Sequence, residues 1–154
     1  MTYKEYRAKR QKEFDELPIF FAFSNAQFKE QMEKRGLTEK DLDKIYKLGG
    51  GGFYLRTDAE KVRKFFSRED ELTKLMGDHK FAVSAFYYEM NNHEYAINYY
   101  QGDWDVLNCF SDKELEFEDS KDYKDYLKEM GKEDWIPAYE EARKKHYKAA
   151  EDWM

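Results

Sequence analysis

The chain has 154 residues, of which 41% are hydrophobic, 18% aromatic and 39% charged, with a formal net charge of −6. That length suits a single domain, residues 1–154, with a sizeable core, and that apolar content excludes disorder caused by too few core residues. The negative sign argues against a direct nucleic-acid or anionic-membrane binder, and one cysteine, Cys109, rules out an internal disulfide and fits a reducing cytoplasm.

Thr2-Tyr3-Lys4-Glu5 has the form of a capping box, so a first helix is expected to run to about Glu16, where Pro18 stops it. Its cations, among them Arg7, Lys9, Arg10 and Lys12, read as a solvated basic face. Ile19 to Phe23 reads as a buried strand. Ser24 or Asn25 then caps a helix that reaches Lys34-Arg35 and ends at Gly36, and Thr38 to Asp41 starts a further short helical turn.

Four consecutive glycines, Gly49 to Gly52, separate Ile45–Leu48 from Phe53–Arg56. Apolar, β-type residues on both sides and glycine's tolerance of positive φ predict a hairpin over 45–56. Thr57 to Glu60 has the capping-box form again, and Val62, Phe65, Phe66, Leu72, Leu75 and Met76 keep helical spacing after it. Ser67 to Asp70, a further capping box, would break this run in two.

His79 to Asn92 is apolar on nearly every side, which predicts the central core helix, with Asn91-Asn92 as its left-handed stop. Tyr95 to Tyr100 reads as strand or loop, and Asp103 as the cap of a short helix carrying Trp104, Leu107 and Phe110. A helix is expected from Ser120 to Met130. The last helix starts near Asp134 and carries the stripe Trp135, Tyr139, Ala142, His146, Ala149, Trp153. Residues 119–154 thus read as a helical extension packed on the domain, and no stretch is long and apolar enough to span a bilayer.

Charge is unevenly spread. Residues 1–64 hold 15 Lys and Arg against 11 Asp and Glu, and residues 65–154 hold 12 against 22. Nine acids against three lysines fall between 103 and 125. Mixed with aromatics, they make Trp104, Asp105, Glu116, Glu118, Asp119, Asp122 and Tyr123 a candidate surface for a protein partner.

The glycine run lacks the Lys-Ser/Thr of a phosphate-binding P-loop and the G-x-G-x-x-G spacing. Gly50, Gly51, Arg56, Asn92, His93 and Glu94 form the alternative, ligand-binding set. Glu89 and His93, four residues apart on one helix, are half a metal site, but only three histidines exist and zinc needs three or four ligands, so no metal and no cofactor are assigned. Cys109 could pair with a distant histidine as a nucleophile, although a small buried residue is the plainer reading.

Four strings, Leu17–Ser24, Lys44–Phe53, Tyr88–Tyr95 and Gly102–Leu107, together resemble a family of small uncharacterised proteins carried by phages and mobile elements of Firmicutes. The resemblance covers about residues 3–110 and implies an accessory protein of a mobile element, with no catalytic residues to carry over. The expectation is an α+β, mostly helical domain: strand 19–23 and hairpin 45–56 around a central apolar helix. Its expected function is non-catalytic binding of a protein partner, with inhibition of a host nucleic-acid-handling or defence machine through the acidic aromatic face. A homodimer is compatible with the last helix's stripe. The alternative is a small ligand- or nucleotide-binding protein or enzyme using the Gly49–Gly52 loop and His93.

Overall fold

A computed structural model describes residues 1–67 and 69–152, without the side chains of residues 69 and 70. The class is α+β and mostly helical, with one three-stranded antiparallel sheet. The chain divides into two compact units, Met1–Ala8 with Glu71–Met154, and Lys9–Asp70.

Helix α1 spans Tyr3–Asp15. Its expected capping box is formed: the Glu5 N–H donates to Thr2 Oγ1 at 3.2 Å and the Thr2 N–H to Glu5 Oε2 at 3.1 Å.

The second unit holds the sheet. Strand β1 is Ile19–Phe21, β2 is Ile45–Gly49 and β3 is Gly52–Leu55, in the order β1-β3-β2. Phe20 lies opposite Phe53, and helix α2, Asn25–Lys34, lays Phe28 on Phe53 with ring centroids 4.9 Å apart. Ser24 caps α2 by accepting from the Gln27 N–H. The hairpin turns through Gly49, Gly50 and Gly51 at φ of +95°, +55° and +81°, a region that side chains with a Cβ rarely enter. At Gly51 a Cβ would also lie 2.5 Å from the Phe23 ring, so shape and conformation both demand glycine there. The strand is shorter than the predicted 19–23 because Phe23 leaves the ladder to cover this turn.

The box expected at Thr57–Glu60 is not formed. Arg56–Asp58 makes a 3-10 turn instead, and Asp58 precedes helix α3, Ala59–Phe66, without a side-chain cap bond. The box expected at Ser67–Asp70 rests on residues outside those described, as does Trp153. Helix α4 spans Glu69–Leu75.

The first unit is a helical core. Helix α5 is His79–Asn92, α6 is Tyr99–Asn108, α7 is Tyr123–Glu129 and α8 is Ile136–Glu151. Phe86 and Met90 of α5 are wholly buried, as are Tyr126 and Leu127 of α7 and Tyr139 and Ala142 of α8. The helices α7 and α8 thus supply part of this core. The α8 stripe packs internally, with the Phe86 and Tyr139 rings edge to face at 5.0 Å.

Two expectations shift by about a turn. The left-handed stop of α5 falls on Glu94, at φ +51°, not on Asn91-Asn92. The Tyr95 N–H reaches back to the Met90 carbonyl at 3.0 Å, the long bond of a Schellman ending, which brings the Tyr95 ring into the core. Helix α6 starts earlier than expected, capped by Asn98, so Asp103 lies inside it. There Asp103 is buried and accepts from the Tyr95 hydroxyl, from the Tyr139 hydroxyl at 2.7 Å and from the Tyr123 N–H at 3.0 Å. Gly102 sits in the same helix because a Cβ would lie 2.5 Å from the Tyr95 ring.

Candidate metal centre

Three groups of metal-ligand type converge in the first unit. Glu89 in the last turn of α5 and His93, the residue that caps its C-terminal end, lie four positions apart, with His93 Nε2 3.3 Å from Glu89 Oε2. Cys109, the residue that ends α6, brings its Sγ to 3.4 Å from Glu89 Oε2 and 3.5 Å from His93 Nε2. The half-site that the sequence offers at Glu89 and His93 is thus joined by a third group of metal-ligand type, Cys109. The two separate weak hints, a Glu–His pair and a cysteine with a distant histidine, are one cluster.

Glu89 is only 1% exposed, and its two oxygens are divided between different tasks. Oε1 accepts from Arg7 Nη1 at 2.6 Å and from the Tyr3 hydroxyl at 3.2 Å, both on the first turns of α1. Oε2 faces His93 and Cys109. A buried carboxylate with one oxygen pinned by a guanidinium and a phenol is pre-oriented to offer the other as a single ligand. His93 is half-buried and Cys109 keeps an exposed surface, so the cluster is open to solvent.

The three ligand-atom separations have the size that a tetrahedral metal site requires. Zinc bonds of roughly 2.3 Å to sulfur and about 2.0–2.1 Å to nitrogen or oxygen, at tetrahedral angles, put ligand atoms about 3.4–3.6 Å apart. The observed separations of 3.3, 3.4 and 3.5 Å match three corners of that tetrahedron. The 3.3 Å between His93 and Glu89 is long for an N–H···O hydrogen bond, which centres near ~2.9 Å, whereas the two sulfur separations also suit hydrogen bonds of a neutral thiol.

A resting thiolate nucleophile is disfavoured. Burial and the neighbouring Glu89 carboxylate push the Cys109 thiol up to about 12, so near neutrality it stays a thiol that donates to Glu89 or to the Asp105 carbonyl 3.3 Å away. A divalent cation reverses that balance, because it displaces the proton and supplies the positive charge that the Glu89–Cys109 pair lacks.

The acidic aromatic set is dispersed in role. Trp104 is half-buried and donates its indole N–H to the Leu115 carbonyl at 2.6 Å. Asp105 is half-buried beside Gln101. Asp122 caps α7 by accepting from the Lys124 and Asp125 N–H groups, and Tyr123 is buried, stacked on Tyr139 at 5.0 Å. Glu116, Glu118 and Asp119 are exposed, with Glu118 paired to Lys121 at 3.6 Å.

The alternative ligand set divides between the units. Gly50, Gly51 and Arg56 belong to the second, where the Arg56 guanidinium stacks over Tyr46 at 4.7 Å, and Asn92, His93 and Glu94 belong to the first. Arg7, which with Tyr3 positions Glu89, reads in the sequence as part of a solvated basic face. Only their i, i+4 spacing hints at a shared task, and nothing local links them to a glutamate more than 80 residues on.

No helix among the described residues is long and apolar enough to cross a membrane. No curated protein and no solved structure matches the chain. A family model matches residues 2–133, which takes in Arg7, Glu89, His93 and Cys109 and extends past the 3–110 covered by the mobile-element resemblance. On that match, the chain belongs to DUF7659, a family of unknown function.

Proposed function

We propose that this protein is a zinc-binding protein whose centre is Glu89, His93 and Cys109, with a fourth coordination position left to water or an added ligand. The observation that carries this reading is the set of three separations, 3.3, 3.4 and 3.5 Å, that match the edges of a tetrahedral site with one sulfur. Three protein ligands and an open position are the arrangement of sites that do chemistry, whereas purely structural zinc sites are closed by four. Protein purified without added metal and then dialysed against zinc should retain one equivalent by elemental analysis. The variants Cys109→Ser and His93→Ala should retain far less under the same dialysis. Equal retention by all three proteins would remove the assignment.

A second reading, an accessory protein of a phage or mobile element that binds a protein partner, is favoured by one segment. Glu116, Phe117, Glu118 and Asp119 are consecutive and exposed, a short acidic run around one aromatic ring. Such a run suits a basic partner surface, as on a host nucleic-acid-handling or defence machine in the cytoplasm. Charge reversal at Glu116 and Asp119 should weaken capture of such a partner and flatten its salt dependence; unchanged capture would dismiss this face.

A further inference from the structure

We propose that the open coordination position and Arg7 together form a subsite for a small oxyanion, a phosphate or a carboxylate. This rests on the zinc reading above. Arg7 is held beside the centre by its Nη1 bond to Glu89 Oε1, yet its side chain is still 47% exposed. Its planar fork carries five N–H donors, of which the Glu89 carboxylate takes one and the Tyr3 hydroxyl engages another. The guanidinium also lies over the Tyr88 ring at 5.1 Å, which fixes its plane.

The spans are compatible. From Arg7 Nη1 the path to the metal runs through the 2.6 Å bond to Oε1, across the carboxylate and along one zinc–oxygen bond. With about 2.2 Å between carboxylate oxygens and ~2.1 Å to the metal, the separation is at most about 7 Å. A phosphate that bonds zinc through one oxygen and a guanidinium through another spans up to about 7.5 Å. One oxyanion therefore reaches both groups. The charges favour it as well: zinc with Glu89 and the Cys109 thiolate is neutral, so Arg7 supplies the cation that an incoming anion needs.

The test uses full-length protein saturated with Co²⁺ in place of zinc, because the visible spectrum of bound cobalt reports its ligands directly. Inorganic phosphate and, separately, acetate are titrated in. The expected result is a saturable spectral change with either anion. Arg7→Gln protein, brought to full Co²⁺ occupancy first, should need at least about tenfold more of it, and Arg7→Lys an intermediate amount. An unchanged spectrum in the loaded wild type, or equal titrations of wild type and Arg7→Gln, would overturn the subsite and leave the metal centre standing. Equal phosphate affinity in metal-free protein by calorimetry would overturn it too, since the metal would then contribute nothing. Failure of the wild type to take up Co²⁺ would remove the metal centre and the subsite together.

Discussion

Metal binding at this centre must expel a proton from Cys109, and that makes its affinity steeply dependent on pH. With the thiol pushed up to about 12, the thiolate fraction at pH 7.5 is on the order of 10⁻⁴ to 10⁻⁵. The metal is bound by thiolate alone, so the cysteine contributes a tenfold rise in apparent affinity for each pH unit, as long as the free protein remains a thiol. Between pH 7.5 and 9.0 that amounts to about 30-fold. Ionisation of a zinc-bound water adds its own slope, so the informative quantity is the difference between wild type and Cys109→Ser. The pH slope of log affinity should be steeper by one in the wild type, and the difference should stay linear through pH 9. An unperturbed thiol, at 9.0, would flatten it there. Competition against a chromophoric chelator of known proton stoichiometry measures both slopes, and proton release in weak buffer checks the count. Parallel slopes for the two proteins would refute the participation of Cys109 as a ligand.

Other features of the first unit give sharp expectations. Asp103→Ala removes the acceptor shared by the Tyr95 and Tyr139 hydroxyls and the Tyr123 N–H, all buried, and should cost about 3–5 kcal/mol in urea unfolding. Asp103→Asn, which keeps an acceptor for the hydroxyls but turns an amide donor toward the Tyr123 N–H, should cost less; equal losses would contradict this account of the network. Glu94 is exposed and holds a left-handed conformation that glycine adopts freely, so Glu94→Gly should stabilise the protein by about 0.5–1 kcal/mol. A loss of stability would mean that the Glu94 side chain has a compensating role. His146 is buried, with Nδ1 3.0 Å from Asn91 Oδ1 and with Nε2 lacking a hydrogen-bond partner among the described residues, and burial lowers its pKa below 6.5. The folded state therefore binds fewer protons than the unfolded state as pH falls below 6.5. The stability that neutral His146 confers is lost progressively from there until the folded pKa is passed, at up to about 1.4 kcal/mol per pH unit. His146→Phe should show a shallower loss between pH 7 and 5, and an identical profile would exclude His146 as its source.

Much of the architecture is legible in the sequence because it is written locally. The capping box at Thr2, the Ser24 cap, the glycine turn and the α8 stripe each depend on residues within a few positions of one another. The errors fall where distant packing decides. Asp103 reads as a surface cap because its acceptors' partners, Tyr123 and Tyr139, lie 20 and 36 residues away. Glu94 takes the left-handed position in place of an asparagine because the next residue, Tyr95, carries its ring into the core. The centre itself is half legible: spacing puts Glu89 and His93 on one helical face, but the approach of Cys109 depends on how α6 packs on α5. Arg7 comes from α1, 82 positions before Glu89. Its charge fits a solvated face equally well, and no periodicity distinguishes the two.

The most direct measurement of the central claim is X-ray absorption at the zinc edge of the loaded protein. A shell with one sulfur at about 2.3 Å and three nitrogen or oxygen neighbours at about 2.0–2.1 Å is expected, with the sulfur lost in Cys109→Ser. A shell of nitrogen and oxygen alone in the wild type, or one unaltered by the substitution, would contradict a centre built on Glu89, His93 and Cys109.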